Sequence, residues 1–460
     1  MKKRASLLEK ISYGFGGASC TAEMTVVNSF LLLFYTDVMG VSPAAIGSLF
    51  LIGKVFDAIT DLVITNLADN TNSRFGRYRP WLLMSVPLGI SFILMLWNPG
   101  FLHTNMQKII WCYVLYILTI PIFETSYMCP LMVLSATMSH NEEDRVHFVA
   151  SRTLGETVGD LIVASLVMPI VLYFGTSHRD TAGWRVMALI MGAVVIVFGL
   201  IAFAGTRERV IDDTHDENGE RLTFWRKLGA LKGNSLFWKM FVLQFGFILQ
   251  WMFSLMLFSY FCINCLGREE WVHPLMVIYT LCQIGVTALI PALTKRFGKR
   301  MLLCTGCVVT LVSCGLFFVI RSFALAVLVQ VLRGGAAGLL TPTIWNAWPD
   351  VCDYTEWKTG RGTPGIIMAV ANFDNKLGIG IGSYLATLAL TLVGYNETAL
   401  VQTASVISGI RISMALYPLI GVAMVLIATG LMKELNVKNM TKVHADLAIS
   451  RGEKEEMANA

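Results

Sequence analysis

Charge is what this sequence has least of. Asp, Glu, Lys and Arg make up 15% of its 460 residues, where a soluble domain carries about 25%. The shortfall excludes a water-soluble enzyme of this size. Hydrophobic residues reach 55% and mean hydropathy is +0.62, which excludes a disordered chain, since disorder needs low hydrophobicity and high charge. Catalytic signatures are missing as well: there is no H-E-x-x-H, no G-x-S-x-G and no Walker loop. The net charge of +5 is small, so no nucleic-acid partner is expected. No small-residue cleavage site follows the basic start. The apolar stretch holding Glu23 runs on to Phe34, too long for the core of a cleavable signal. The ten cysteines include two C-x-x-C pairs, Cys262/Cys265 and Cys304/Cys307. A four-cysteine zinc site needs both pairs at one place. The topology below puts them at opposite membrane faces, so no structural metal is expected and the cysteines read as small apolar helix residues.

What is present is a row of long apolar runs, at 11–36, 44–68, 81–99, 108–134, 150–174, 184–205, 236–264, 271–292, 301–320, 323–348, 364–393 and 407–432. Each is long enough to span a bilayer as a helix. Backbone satisfaction in lipid favours helices, and the ten-residue alternation of membrane strands is absent. Lys and Arg concentrate in the N-terminal tail, the even-numbered connections and the C-terminal tail, which puts both termini in the cytoplasm. The expectation is an all-α integral membrane protein, multi-pass in the plasma (inner) membrane. Its twelve transmembrane helices form two six-helix bundles: 1–205, then a polar cytoplasmic linker over 206–235, then 236–432, with a cytoplasmic tail over 433–460. The halves share a short signal. Arg74-Phe75-Gly76-Arg77 follows the second run and Arg296-Phe297-Gly298-Lys299 the eighth, an offset of 222 residues. This is the sign of two parallel six-helix repeats, the major facilitator architecture.

With Lys108, Arg185, Lys239 and Arg411 at the run ends counted with the connections, only Lys54, Arg152, Arg333 and Lys376 among the basic residues lie inside runs, and an ionisable group there is a functional candidate by default. The second run reads G-K-V-F-D-A-I-T-D, putting Lys54, Asp57 and Asp61 on one helix face. Two carboxylates one turn apart need a cation, a proton or Lys54 between them. A hard cation prefers oxygen ligands, and Thr60 adds one. A static Lys–Asp bridge would explain one carboxylate and leave the other. At the matching offset the second half has Tyr279 opposite Asp57, so the cation site is expected in the N-terminal half. The fifth run carries Arg152, Glu156 and Asp160 four apart, beside a Gly155/Gly159 packing pair. Part of that stripe reads as structural, with Arg152 neutralising Glu156. The eleventh run carries Asn372, Asp374, Asn375 and Lys376. Arg152 maps onto Asp374 at the repeat offset, and two-bundle transporters place substrate near the midplane between such halves. Glu23 and Glu124 are further intramembrane acids. Trp345 and Asn346 lie near Pro342 and Pro349, in a helix expected to kink. Trp345 is read as a sugar-stacking residue, and Trp348 and Trp357 as interfacial anchors.

These stretches are similar to those of the glycoside–pentoside–hexuronide:cation symporters. The likeness rests on SYGFG at 12–16, FYTDVMGVSPAAIGSLFLIGKVFDAITD at 34–61, SRFGRYRPW at 73–81, DVCDYTEW at 350–357, and Lys376. It extends over nearly the whole chain, and the 34–61 segment with its following loop is its most specific part. The resemblance implies sodium, lithium or proton coupling at Asp57 and Asp61, sugar recognition involving Arg152, and a link between the two sites through Lys376. It also implies cytoplasmic gating or salt-bridge roles for Arg77 and the loop holding Asp353 and Tyr354. Two departures matter. The family's first-helix aspartate falls on Thr21, with Glu23 two residues on, and its fourth-helix aspartate falls on Met128, with Glu124 one turn earlier. Unless Glu124 substitutes, the surroundings of Arg152 and Lys376 are relatively positive and suit an acidic sugar such as a hexuronide; Glu156, Asp160 and Asp374 count against that.

The expected function is therefore cation-coupled symport of a sugar or glycoside, by a monomer with no other cofactor. A lipid or amphiphile carrier on the same fold would want fewer polar groups at the midplane. A non-transporting sugar sensor would want a signalling domain. An integral-membrane enzyme lacks a motif to rest on.

Overall fold

The computed structural model describes residues 6–139, 142–209, 234–359, 364–399 and 401–432, with 440, 443, 446 and 447 beyond them. Most of the expected linker and most of the tail lie outside the described residues. All regular structure within them is helical: α1 (Leu7–Leu33), α2 (Pro43–Asp69), α3 (Ser85–Met95), α4 (Asn105–Ile117), α5 (Thr125–Met138), α6 (Glu142–Phe174), α7 (Thr181–Gly205), α8 (Ser235–Tyr260), α9 (Val272–Leu316), α10 (Phe323–Trp345), α11 (Trp348–Thr359), α12 (Pro364–Leu392) and α13 (Ala404–Leu431). Every apolar run of the sequence falls on this series. The eighth and ninth share α9, whose backbone breaks at Gly298 (φ 77°), a conformation that glycine adopts without the Cβ penalty.

Local chemistry sets the helix ends. The Ser6 hydroxyl accepts from the Glu9 N–H while Glu9 reaches back to the Ser6 N–H, a capping box that starts α1. Thr104 and Gln107 repeat the device at α4. Pro43 opens α2 at a position with no intrahelical partner to lose. Short π-helical segments interrupt the regular ladder at Phe34–Val38, Leu118–Glu124 and Phe261–Cys265. The second contains Pro121, which lacks the N–H that an α-helical bond requires. Such segments re-aim side chains and recur at functional positions.

Among the described residues, eight helical stretches are long and apolar enough to cross a membrane. α2 and α12 are not among them. They are the helices whose middles carry Lys54, Asp57 and Asp61, and Asp374 and Lys376.

The chain divides into two compact units. The first comprises Met1–His215, Leu255–Val277 and Ser383–Ile410; the second comprises Asp216–Ser254, Ile278–Gly382 and Arg411–Ala460. In the first, α1 runs along α6 and α7, and α3 packs on α7. The α1–α6 crossing is built on missing side chains. A Cβ on Gly155 would sit 1.9 Å from the Gly14 carbonyl oxygen, and one on Gly159 would sit 3.1 Å from the Ala18 Cα. In the second unit, α12 lies on α8: the Gln244 amide donates to the Ala371 carbonyl at 2.8 Å, and Gly378 meets Ile248.

Two sequence readings change here. The tenth run is not one kinked helix through Trp348: α10 ends at Trp345 and a new helix starts at Trp348. Nor is Trp348 an interfacial anchor. It is fully buried, packs edge-on against Phe237, and donates its indole N–H to Gln244. Gln244 supplies a buried acceptor for that N–H, which removes the need for a watery membrane interface.

Candidate cation and substrate site

α2 presents its charged face to α5 and the π segment before it. Asp57 is only 1% exposed. The Lys54 ammonium lies 3.0 Å from its Oδ2, and the Thr125 hydroxyl donates to its Oδ1 at 2.9 Å. Asp61, one turn on and half-buried, accepts from the Cys129 thiol at 3.8 Å. Thr60 turns its hydroxyl to its own helix, donating to the Phe56 and Asp57 carbonyls at 3.1 Å each. Lys54 and Thr125 thus each hold one of the two Asp57 oxygens.

Two further acids sit in the same unit. Glu124 ends the Pro121 π segment and accepts from the Cys20 thiol at 3.8 Å. Glu23 on α1 is fully buried, neither carboxyl oxygen has a hydrogen-bond partner, and it lies within electrostatic reach of Glu124, Lys54 and Asp57. Thr21 bonds back to the Gly17 carbonyl at 3.2 Å. On α6, Arg152 and Glu156 form an ion pair, the neutralising contact that their four-residue spacing allows. Gly17 lets this pair come close: a Cβ there would sit 2.5 Å from the Arg152 carbonyl oxygen. Asp160, a turn further, accepts from Thr25 at 2.6 Å.

The second unit holds the remaining candidates in separate surroundings. On α12, Asp374 is fully buried with both oxygens unbonded, Lys376 is half-buried and Asn372 is exposed. Trp345 is the last residue of α10. Asn346 is exposed beyond it, its carbonyl accepting from Lys299 at 2.6 Å. Lys299 also pairs with Asp350 at 2.6 Å, so Trp345 and Asn346 border an ion pair at a helix end. Asp353 and Tyr354 sit on α11, where Tyr354 packs against a cluster of Met440, Val443 and Leu447.

A profile described as MFS/sugar transport protein matches residues 12–433. The chain belongs to this family of the major facilitator superfamily. It is 31% identical to the uncharacterized symporter YnaJ of Bacillus subtilis, over 96% of this chain and 95% of that one. It is 27% identical to the isoprimeverose transporter of Lactiplantibacillus pentosus, over 98% and 93%. Among solved structures, the nucleoside transporter NupG superposes with a TM-score of 0.67 at 13% identity, covering 93% of this chain and 99% of that one, a likeness of fold. Family and neighbours are membrane transporters rather than enzymes.

Within this MFS transporter, two further constellations stand out that the sequence reading passed over. The first gathers around Asp37, in the π segment that ends the first run. Tyr395 donates to Asp37 at 2.7 and 2.9 Å, Thr36 at 2.8 Å and Arg179 at 3.3 Å. Thr36 meets the Tyr260 hydroxyl at 2.5 Å, and Arg179 donates to the Glu397 carbonyl at 3.3 Å. His178 bridges Asp37, at 3.3 Å, and Glu269. Burial works against the charged imidazole. The hydrogen bonds and charges of Asp37 and Glu269 outweigh it and raise the His178 pKa from 6.5 to about 9. The network ties four chain segments of the first unit together at the odd-numbered connections. Beside it, Gly47 admits Thr387: a Cβ on Gly47 would lie 2.1 Å from the Thr387 hydroxyl. The available signal was Asp37 at the foot of an apolar run and a His-Arg pair in a short connection.

The second constellation explains the SRFGRYRP loop. Glu208 accepts the backbone N–H groups of Arg77, Tyr78 and Arg79 at 2.8, 2.8 and 2.7 Å. Gly76, with φ 113°, turns the chain into this cradle. Arg77 thus contributes its backbone to a fixed turn, alongside any side-chain role.

Proposed function

We propose that this chain imports a sugar or glycoside together with Na⁺, Li⁺ or H⁺, by alternating access. The observation that carries the reading is the setting of Asp57. Removing an ion from water into a span costs a few kcal/mol on insertion scales, yet Asp57, Glu23, Glu124 and Lys54 share one buried neighbourhood. One ammonium does not balance three carboxyl groups when all are ionised. The deficit is one that protons or a small hard cation can meet. Lys54 acts as the internal counter-ion: cation binding at Asp57 and Asp61 displaces its ammonium, and that displacement couples cation to substrate.

The substrate contacts we assign are Thr21, Glu23, Glu124, Arg152 and Glu156 from the first half, and Trp345, Asn346, Asn372, Asp374 and Lys376 from the second, with Arg77, Asp353 and Tyr354 gating the cytoplasmic side. The isoprimeverose transporter is a relative along nearly its whole length, which supports a glycoside as cargo. The same reading takes the chain as a monomer of two six-helix halves, 1–205 and 236–432, joined by 206–235 and followed by a tail over 433–460, with both termini cytoplasmic in the plasma (inner) membrane. The abundance of polar groups in the spans disfavours a lipid or amphiphile carrier. Asp57→Cys tests the proposal: it should abolish ion-gradient-driven sugar accumulation while leaving expression intact. Unchanged accumulation in the variant would remove the cation assignment.

A further inference from the structure

Gln244, on α8, is 1% exposed and spends both ends of its amide on other helices. Its nitrogen donates to the Ala371 carbonyl of α12 at 2.8 Å, and its oxygen accepts the indole N–H of Trp348, the first residue of α11. Ala371 and Trp348 are fully buried. Three helices of the second unit therefore meet at one side chain, in a setting where water supplies no substitute partner. An apolar side chain of the same length would fill the space. The amide adds direction, because a hydrogen bond weakens steeply once its partners slide out of line.

What hangs on each side of Gln244 differs. On α12, Ala371, Asp374, Gly378 and Gly382 follow one another at three- and four-residue spacing and share the stripe that faces α8. A Cβ on Gly378 would sit 2.8 Å from Ile248, and one on Gly382 would sit 3.0 Å from the Leu249 carbonyl oxygen, so the two helices run close along this stripe. Asp374 lies within it, fully buried and with both carboxyl oxygens unbonded. The register of α12 on α8 therefore decides what that carboxyl meets. On the other side, α10 ends at Trp345 and α11 starts afresh at Trp348. The first turn of α11 hangs from α8, through the Gln244 bond and the edge-on contact with Phe237.

We propose that Gln244 is a positioning residue that couples α12 to α11: a shift of α12 on α8 passes through the amide to Trp348. The proposal rests on the transporter reading for its purpose, since that reading puts substrate contacts on α12 and a cytoplasmic gate at Asp353 and Tyr354 on α11. It adds a contiguous physical link by which a change at the substrate helix reaches the gate helix. The rival is a satisfied core amide that only holds three helices together. The two differ in whether α11 responds when α12 is moved.

Wedging α12 and reading α11 tests it. Gly378→Ala and, separately, Gly382→Ala place a methyl group between α12 and α8. The reporter is Cys352, half-buried on α11, whose alkylation by N-ethylmaleimide is followed at peptide resolution in the purified full chain. Each wedge should change the Cys352 rate by about fivefold or more. In Gln244→Met or Trp348→Phe the same wedge should change it by less than about twofold. Trp348→Phe keeps Gln244 and an aromatic ring in place, so the test survives a folding failure of Gln244→Met. Asn234→Ala cuts a second hydrogen bond from the start of α8 to α11, at Thr355 (2.6 Å), and should leave the response to the wedge intact. No response to either wedge in the otherwise wild-type chain overturns the link. So does a response that persists in both Gln244→Met and Trp348→Phe, or one that is equally lost in Asn234→Ala. Counterflow of labelled isoprimeverose and methyl β-glucoside in vesicles is read separately. Trp348→Phe should slow it about tenfold with the half-saturating concentration within about twofold, and an unchanged rate overturns the coupling to the gate. A Cys352 response without counterflow of either sugar would instead strike the transporter reading and leave the link in place.

Discussion

Asp57 and Arg152 were both legible in the sequence, and for the same reason. An ionisable residue inside an apolar run is rare, and three- or four-residue spacing puts its partner on the same helix face. The Lys54–Asp57 and Arg152–Glu156 pairs followed from that spacing and are both present. Asp37 was not legible, because its partners Tyr395, His178 and Arg179 arrive from distant segments and no local spacing encodes them. Glu208 was hidden likewise: its role lies in accepting backbone N–H groups, which carry no residue signature. Two substitutions separate pairing from recognition at Arg152. If the guanidinium touches sugar, Arg152→Ala and the double variant Arg152→Ala/Glu156→Ala should both lower sugar affinity, by about tenfold. Recovery of wild-type affinity in the double variant would make Arg152 a charge-balancing residue only.

At the scale of elements, helix existence followed directly from the runs, while breaks and bulges did not. The π segment ending at Glu124 and the stop after Trp345 depend on how Pro121 and Pro342 sit against their neighbours. The Gly155/Gly159 pair was readable as a packing device, and α1 fills the space it leaves. Gly155→Val should destabilise the protein by about 1–3 kcal/mol through overpacking against Gly14. A thermal melt of the solubilised protein checks this, and an unchanged melting temperature would contradict the crossing. The Asp37–His178–Glu269 network gives a pH dependence with a definite sign. The folded His178 pKa of about 9 lies above the ordinary 6.5. The stabilisation is therefore fully present below about 6.5 and is lost as pH rises through about 9. Melting temperature should fall across that window in the wild type and fall less in His178→Gln. Identical pH profiles would remove His178 from the stabilising network.

At the scale of the whole molecule, scarcity of charge made the class readable, and the repeated RFG loops made the superfamily readable. The matching family profile and full-length relatives agree with both. Substrate identity was not readable, because a sugar is recognised by hydroxyl-sized groups brought together from several helices. The account stands or falls on coupling. The most direct measurement is accumulation of a labelled glycoside in vesicles containing the purified protein, under an imposed inward sodium gradient and, separately, an inward proton gradient. At least one gradient should drive uptake above equilibrium, and Asp57→Cys should abolish that excess while the protein remains folded. Equilibration of the glycoside with no dependence on either ion would contradict cation-coupled symport at Asp57.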